Sequence, residues 1–435
     1  MVQEVKPLFH GENSTHHLSA EYDVSEEPRT MPANLLKSIF KQCLPVSRKL
    51  LLFPLATLGI VGFLLNPHIS ITSTDGICYP KTNIVFLKTH KCAGSTIQNI
   101  LMRYGDKHKL NFVLPRNDNY LGHPAPFSRA MVGTPRTFSF NILTHHTRLD
   151  YKELRSIMPR DSHFVTIVRD PVKVFESSYH YYSFDKLFKV NIHNFIKFLP
   201  KFRKKFLLKR FRGKFGANQM FFDLGGSSAI FNNTEKIVQY LDKIASWFDL
   251  VLVAERMDES LVLLKHLMCW DLDDVVAFKL NARNPKYISD LSETEKTSIR
   301  SLNFADSLLY ERFLNKFERE VEAFGRERMA AETAELRRRT QEWYELCVDV
   351  EQPQSKRSVT PKHYINKRVM MFETKKNITN STCDAMTMDE LPYTAYLQKR
   401  QMAACPKCFR ALDLRRTSAK KMLPGSLSAR TKQMH

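Results

Sequence analysis

The sequence holds no G-x-x-x-x-G-K-[ST] loop, and that absence disfavours a kinase or a GTPase. No internal repeat is visible, so a solenoid or propeller is excluded. No second cysteine pair at zinc spacing accompanies Cys405-Pro406-Lys407-Cys408, which leaves that pair as a structural disulfide or free thiols. Acid is scarce: 45 Asp and Glu stand against 66 Lys and Arg, a formal net charge of +21 in 435 residues. Such a surface attracts anions, and a doubly phosphorylated nucleotide, an acidic membrane or a nucleic acid would each serve. Charge alone does not choose among them.

Long apolar runs are also lacking. The one extended run, 50–65, is interrupted by Pro54, Thr57 and glycines and spans about 24 Å as a helix. It is short for a membrane span, and a buried core helix fits its length almost as well. Lys37, Lys41, Arg48 and Lys49 precede it, whereas only Asp75 is charged from there to Pro80. The expected reading is a signal anchor with 1–49 as a cytosolic tail, 66–80 as a stem and the rest lumenal. Some fifty residues precede the run and no small-residue cleavage site follows closely, which argues against a cleaved signal peptide. Sequons begin at Asn232, Asn377 and Asn380, and the one at Asn13 should stay bare on the cytosolic side. Of eight cysteines, Cys43 precedes the anchor, where palmitoylation is possible, and Cys92 lies in a candidate loop. The remaining six can form up to three disulfides in an oxidising lumen, with the pairing open.

What is present begins at 83–104. Asn83-Ile84-Val85-Phe86-Leu87 reads as a buried strand, Lys88 to Thr96 as a loop, and Ile97, Ile100, Leu101 and Tyr104 recur at helical spacing. Small residues at Ala93 and Gly94 let backbone N–H groups close on an anion. Ser95 and Thr96 add hydroxyls, Lys91 adds a mobile charge, and the new helix points its positive end at the same place. A second strand, 163–168, ends in Arg169-Asp170-Pro171, where Asp170 caps a helix and Pro171 suits its first turn. Arg169 and Ser177 then converge beyond the carboxyl edge of the sheet, where open α/β sheets bind ligands.

Lys-Thr-His-Lys-x-Ala-Gly-Ser-Thr after one strand, with Arg-Asp-Pro-x-x-x-Phe-Glu-Ser after another, resembles the sulfotransferases that use 3′-phosphoadenosine 5′-phosphosulfate. Phe86 to Lys91, Arg169 to Tyr179, Glu255 to Leu264, Cys269 to Val275 and Lys279 to Arg283 narrow the resemblance to the galactose 3-O-sulfotransferases, a family that includes enzymes acting on galactosylceramide. It covers roughly 80–350, with a weaker echo from Met388 to Leu397. The resemblance implies an open parallel α/β sheet with a P-loop-like phosphosulfate loop. Lys91, Cys92, Ala93, Gly94, Ser95 and Thr96 would hold the 5′ end of the donor, and Arg169 and Ser177 its 3′-phosphate. It also implies a Golgi membrane enzyme sulfating the 3-OH of a terminal β-galactosyl residue on a glycolipid or a glycoprotein glycan. Cys92 departs from the family's usual threonine, which would remove one hydroxyl donor.

Sulfuryl transfer asks for in-line geometry, neutralisation of the leaving oxygen and a base for the acceptor hydroxyl, with no metal required. Lys91 is placed to neutralise the leaving phosphate, and Lys88 either assists or faces the acceptor. A base titrating near neutrality favours histidine. His90 lies in the loop between two lysines, whose repulsion should keep it neutral. His146, with Arg148 nearby, follows the predicted strand 138–143. Relatives carry a histidine at each matching position.

Parallel strands are expected at 84–87, 138–143, 164–168 and 250–254, in a lumenal domain over 81–350. Long charged helices should fill 293–348, and 351–435 reads as a basic extension that is partly disordered. The segment 197–215 interleaves Phe and Leu with nine basic residues, and a surface helix packing its aromatic side on the core is favoured over a lipid-facing element. Two other functions remain open: a uronyl or glucosaminyl sulfotransferase on glycosaminoglycans, and a membrane-anchored basic glycan-binding protein without catalysis. A lumenal protein meets no nucleic acid.

Overall fold

The computed structural model describes residues 78–408, except 117, 134–138, 200–209, 211–214, 232 and 355–365. The tail, the 50–65 run, most of the stem, Asn232, most of the basic segment 197–215 and the chain after 408 lie outside the described residues. Among the described residues no helix is long and apolar enough to cross a membrane.

Strand β1 (Ile84–Leu87) is buried along its whole length. It lacks an alternating pattern because both faces of the sheet are covered. β1 leads through the loop into α1 (Gly94–Lys107). The chain continues to β2 (Ile142–Leu143), β3 (His163–Val168) and α2 (Pro171–Tyr181). After α3 (Gln219–Asp223) come β4 (Leu250–Val253) and α4 (Met257–Met268). The four strands form a parallel sheet in the order β2-β1-β3-β4. Ile84 lies opposite Ile142 on one side and His163 on the other, while Val165 to Val168 face Leu250 to Val253. All carboxyl ends therefore share one edge, where β1 and β3 lie side by side.

Three of the four expected strands occupy nearly their expected bounds. Of the strand expected over 138–143, the described residues contribute Ile142 and Leu143 to the sheet; just before them Asn141 accepts the Ile84 N–H of β1 (2.8 Å) but turns its own N–H to the 111–112 segment. Asn141 donates its N–H to Asn111 O (2.8 Å) and accepts the Asn111 N–H on its side chain (3.1 Å). This covers a short edge strand.

Helix α1 packs Ile97, Ile100, Leu101 and Tyr104 into the core, as the spacing predicts. Its other faces are buried too, by the C-terminal part of the chain. α5 (Phe304–Phe324) carries Leu309, Phe313, Phe317 and Val321 into the core, and Gly325, at φ 95°, breaks the chain before α6 (Arg326–Cys347). A hairpin of β5 (Val348–Pro353) and β6 (Met370–Thr374) follows, then α7 (Ser381–Thr387) and α8 (Glu390–Ala404).

The domain therefore does not end near 350. Cys383, Met386, Tyr393 and Leu397 join the main core, and the segment is fastened by polar bonds to α1 and its surroundings. Asn99 donates to Ala385 O (2.8 Å), Arg400 pairs with Asp106, and Gln401 Oε1 accepts the Phe112 N–H (2.7 Å). A few apolar anchors joined by long polar side chains leave a composition that reads as an exposed extension. The disulfides pair Cys78 with Cys269, Cys347 with Cys383 and Cys405 with Cys408. The second ties α6 to α7.

Candidate active site

The loop after β1 turns sharply because Lys91 and Ala93 adopt left-handed backbone conformations (φ 62° and 60°). Each such residue costs roughly 1–2 kcal/mol, and the turn aims the α1 N-terminus into a cleft of about 1100 Å³ at the carboxyl edge of the sheet. Gly94 is required sterically, since a Cβ there would lie 2.7 Å from Lys88 Cγ, whose side chain runs past it. Thr89 donates to Ile167 O and pins the loop to β3.

Lys88, His90, Lys91, Ala93, Gly94, Ser95 and Thr96 line this cleft, and so do His146, Arg169 and Ser177. Cys92 does not. Its thiol is fully buried, bonds to His90 O (3.4 Å) and is pushed well up by burial. A threonine hydroxyl in that direction would face the core, so the departure at Cys92 removes no donor from the cleft.

Arg169, from the end of β3, donates to Lys91 O (3.0 Å) and so holds the loop from the side. Asp170 caps α2 through the N–H groups of Val172 and Lys173, with Pro171 in the first turn. The Lys91 ammonium sits 3.3 Å above the Tyr181 ring centre. Burial, helped by the Arg169 charge, pushes its pKa down to about 7. Two residues of the 279–283 segment complete this side. Asn281 donates to Ser95 Oγ (3.1 Å), and Arg283 is paired with the buried Glu176.

Lys88 is nearly inaccessible and donates to Gln98 Oε1 and Glu390 Oε2. Glu390, the first residue of α8, also accepts from Ser95 Oγ (3.0 Å). Burial lowers the Lys88 pKa, against the pull of Glu390. Burial likewise opposes the Glu390 anion, yet Lys88, Ser95 and Lys91 hold its carboxyl below the usual range.

The other wall is a cluster of imidazoles around one carboxylate. Asp223 lies 2.8 Å from His90 Nδ1 and 3.1 Å from His123 Nε2. It also accepts the His90 backbone N–H (2.8 Å) and the Gln219 amide (2.8 Å). Burial opposes its ionisation, but bonds to His90 and His123 hold it well below the usual carboxylate range. An ionised Asp223 only accepts, so Nδ1 carries the His90 proton, and Nε2, buried and without a hydrogen-bond partner among the described residues, keeps its lone pair. His146 stacks on His90 with ring centres 4.1 Å apart, and its Nδ1 donates to Lys88 O (3.0 Å). Its Nε2 then keeps its lone pair as an acceptor, with no hydrogen bond from another described residue.

Both imidazoles have pKa values lowered below the ordinary histidine value. For His90 the main cause is burial rather than repulsion between two lysines: Asp223 acts in the opposite sense, and Lys88 is a minor contributor. His146 is lowered by burial and then by His90. Arg148 does not face the cleft; it donates to Phe222 O, Gly225 O and Gly226 O and secures the chain after α3. His90, His123 and Asp223 offer ligand atoms within 4.8 Å of one another, a spacing that also suits a divalent cation. Here each Asp223 oxygen is already taken by N–H donors, and the group reads as a hydrogen-bond network.

Asp223, His123, Glu390, Asn281 and Tyr120, whose ring stacks on His146, were not singled out in the sequence. Asn281 and Glu390 fall within the segments 279–283 and 388–397 that carry the family resemblance, and Asp223 is the one acid within Met220-Phe221-Phe222-Asp223-Leu224, but nothing local gives any of the three a role. Charge inside an apolar run is rarely buried without a partner.

A loop that holds a carboxylate and an imidazole–carboxylate pair meet at one sheet edge, an arrangement suited to a transferase. The family model described as Galactose-3-O-sulfotransferase matches residues 29–401, and the chain belongs to that family of sulfotransferases. It is 40% identical to galactosylceramide sulfotransferase of Homo sapiens over 285 residues, which is 65% of this chain and 67% of that enzyme. It is 33% identical to galactose-3-O-sulfotransferase 2 of Sus scrofa over 356 residues, 75% of this chain and 86% of that one. The human form of the latter is 32% identical over 378 residues, 82% and 94% of the two chains.

Proposed function

We propose that the protein transfers a sulfuryl group from 3′-phosphoadenosine 5′-phosphosulfate to the 3-OH of a terminal β-galactosyl residue on a glycolipid or a glycoprotein glycan. The observation that carries this reading is the cleft itself, where His90 and His146 line one wall and the loop whose Lys88 and Ser95 already hold a carboxylate lines the other. An oxyanion is evidently stable at that position, which fits a phosphosulfate group. The donor supplies sulfate activated as an anhydride with phosphate. Lys91, the 93–96 backbone and the α1 N-terminus hold its 5′ end, and Arg169 and Ser177 hold its 3′-phosphate. His90 Nε2 takes the proton from the acceptor hydroxyl, while Asp223 fixes the ring and stabilises the imidazolium. His146 and Tyr120 form the wall against which the sugar is oriented, and Lys88 and Lys91 neutralise charge on the leaving phosphate.

An acceptor panel with radiolabelled donor tests the substrate. Label is expected on terminal β-galactosides and not on heparan or chondroitin chains. Transfer to those chains alone would overturn the galactose reading.

The low Lys91 pKa gives a second expectation. An anion bound beside Lys91 raises its pKa above the free value of about 7, so binding above that pH takes up a proton. The affinity for adenosine 3′,5′-bisphosphate should therefore be full below pH 7 and weaken by up to about tenfold per pH unit above it. Lys91→Arg, always charged, should flatten that slope. A flat profile in the unmodified protein would show that Lys91 takes up no proton when the bisphosphate binds.

The location proposed is the Golgi membrane, as a single-pass type II protein. Asn377 is exposed after β6, and Asn380 caps α7 through its oxygen. In sealed microsomes protease should trim only the N-terminal tail, and endoglycosidase should shift the protected fragment. A C-terminal tag digested in intact vesicles would reverse the orientation.

A further inference from the structure

The carboxylate on Lys88 and Ser95 comes from Glu390, more than three hundred residues away in sequence from Lys88. It lies in the first turn of α8, where the helix dipole favours an anion. It takes the Lys88 ammonium and the Ser95 hydroxyl, and Ser95 is in turn braced by Asn281. The Lys91 charge acts on the same carboxylate. These are the groups assigned above to the phosphosulfate end of the donor. A carboxylate and a phosphate oxygen cannot share one ammonium and one hydroxyl at contact distance without repelling each other in a site of reduced dielectric.

We propose that Glu390 sets the affinity for the donor nucleotide: it is an internal anion that positions Lys88 and Ser95 and competes with the incoming phosphosulfate for them. Entry of the donor displaces the carboxylate from Ser95. Its return helps the bisphosphate product to leave, so the cleft does not become trapped by a product that keeps both phosphates of the donor. This rests on the donor reading given above.

Titration calorimetry with adenosine 3′,5′-bisphosphate decides the matter through the sign of the change. Glu390→Gln keeps size and helix but removes the charge, and should tighten binding by about tenfold or more. The gain should shrink as salt is raised. In a Lys88→Ala background the same substitution should gain much less, because the two residues then no longer share a partner. A residue that only braced the loop would have the opposite effect, with weaker binding and a lower melting temperature. Glu390→Gln that binds equally or more weakly overturns the proposal. If that variant melts far below the unmodified protein, Glu390→Asp, whose shorter stem withdraws the charge, is read by the same sign. An unmodified protein with no affinity for the bisphosphate removes the donor reading together with this one. Normal affinity with no tightening removes this one alone.

Discussion

His90→Ala is expected to lower kcat by about 10²–10⁴-fold while leaving the affinity for adenosine 3′,5′-bisphosphate almost unchanged, which is the mark of a group used in the transition state. His90 fits the base because Nδ1 is committed to Asp223 and Nε2 has no hydrogen-bond partner among the described residues. His146→Ala should instead raise the acceptor KM at least as much as it lowers kcat, since that ring packs against His90 and Tyr120. The pH profile follows from the sign of the shifts. A base works in its neutral form, and burial lowers both imidazole pKa values, so the acid limb of kcat should lie below the ordinary histidine value. Activity then persists at mildly acidic pH. Full turnover in His90→Ala, with His146→Ala inactive but still binding both substrates, would transfer the base role to His146.

Asp223→Asn should cost about as much in kcat as losing His90, and the double variant His90→Ala/Asp223→Asn should be little worse than either single one, because the two residues act as a unit. An amide at 223 presents only one acceptor oxygen to donors that now use two, and it allows the His90 proton to move to Nε2, where no lone pair remains for the acceptor hydroxyl. Stability should fall as well. His90, His123, Gln219 and the His90 N–H all converge on this carboxylate, and a buried donor left unsatisfied costs about 1–3 kcal/mol. Urea unfolding separates this loss from the loss of activity. A folded Asp223→Asn with normal kcat would reduce Asp223 to a support for His123.

The central sheet was legible because strands buried on both faces have no alternative to continuous apolar runs, as in Ile84 to Leu87 and Leu250 to Val253. The loop was legible for a related reason: closing a backbone on an anion needs small residues, hydroxyls and a following helix in fixed order. Asp223 and Glu390 were not, because each depends on tertiary geometry that no local spacing encodes. Asp223 reaches His90 because α3 packs on the buried Asp306, whose carboxyl accepts the Met220 and Phe221 N–H groups. Glu390 reaches Lys88 because α8 covers α1. The basic composition after 350 suggested solvent, whereas the segment is held by side-chain bonds that hydropathy does not register.

The distance along the chain between Lys88 and Glu390 also has a temporal side. At about 5–20 residues per second the ribosome needs roughly 15–60 s to make the 302 positions that separate them. Once β4 has been made the sheet, the anion loop and α1 still lack α8, and the backbone N–H of Phe112 waits for the side chain of Gln401. Cys347 likewise waits for Cys383. This flank of the domain thus stays uncovered until its last helix emerges, and premature stop codons between 375 and 390 would yield a chain with every motif of the cleft except the one that completes it.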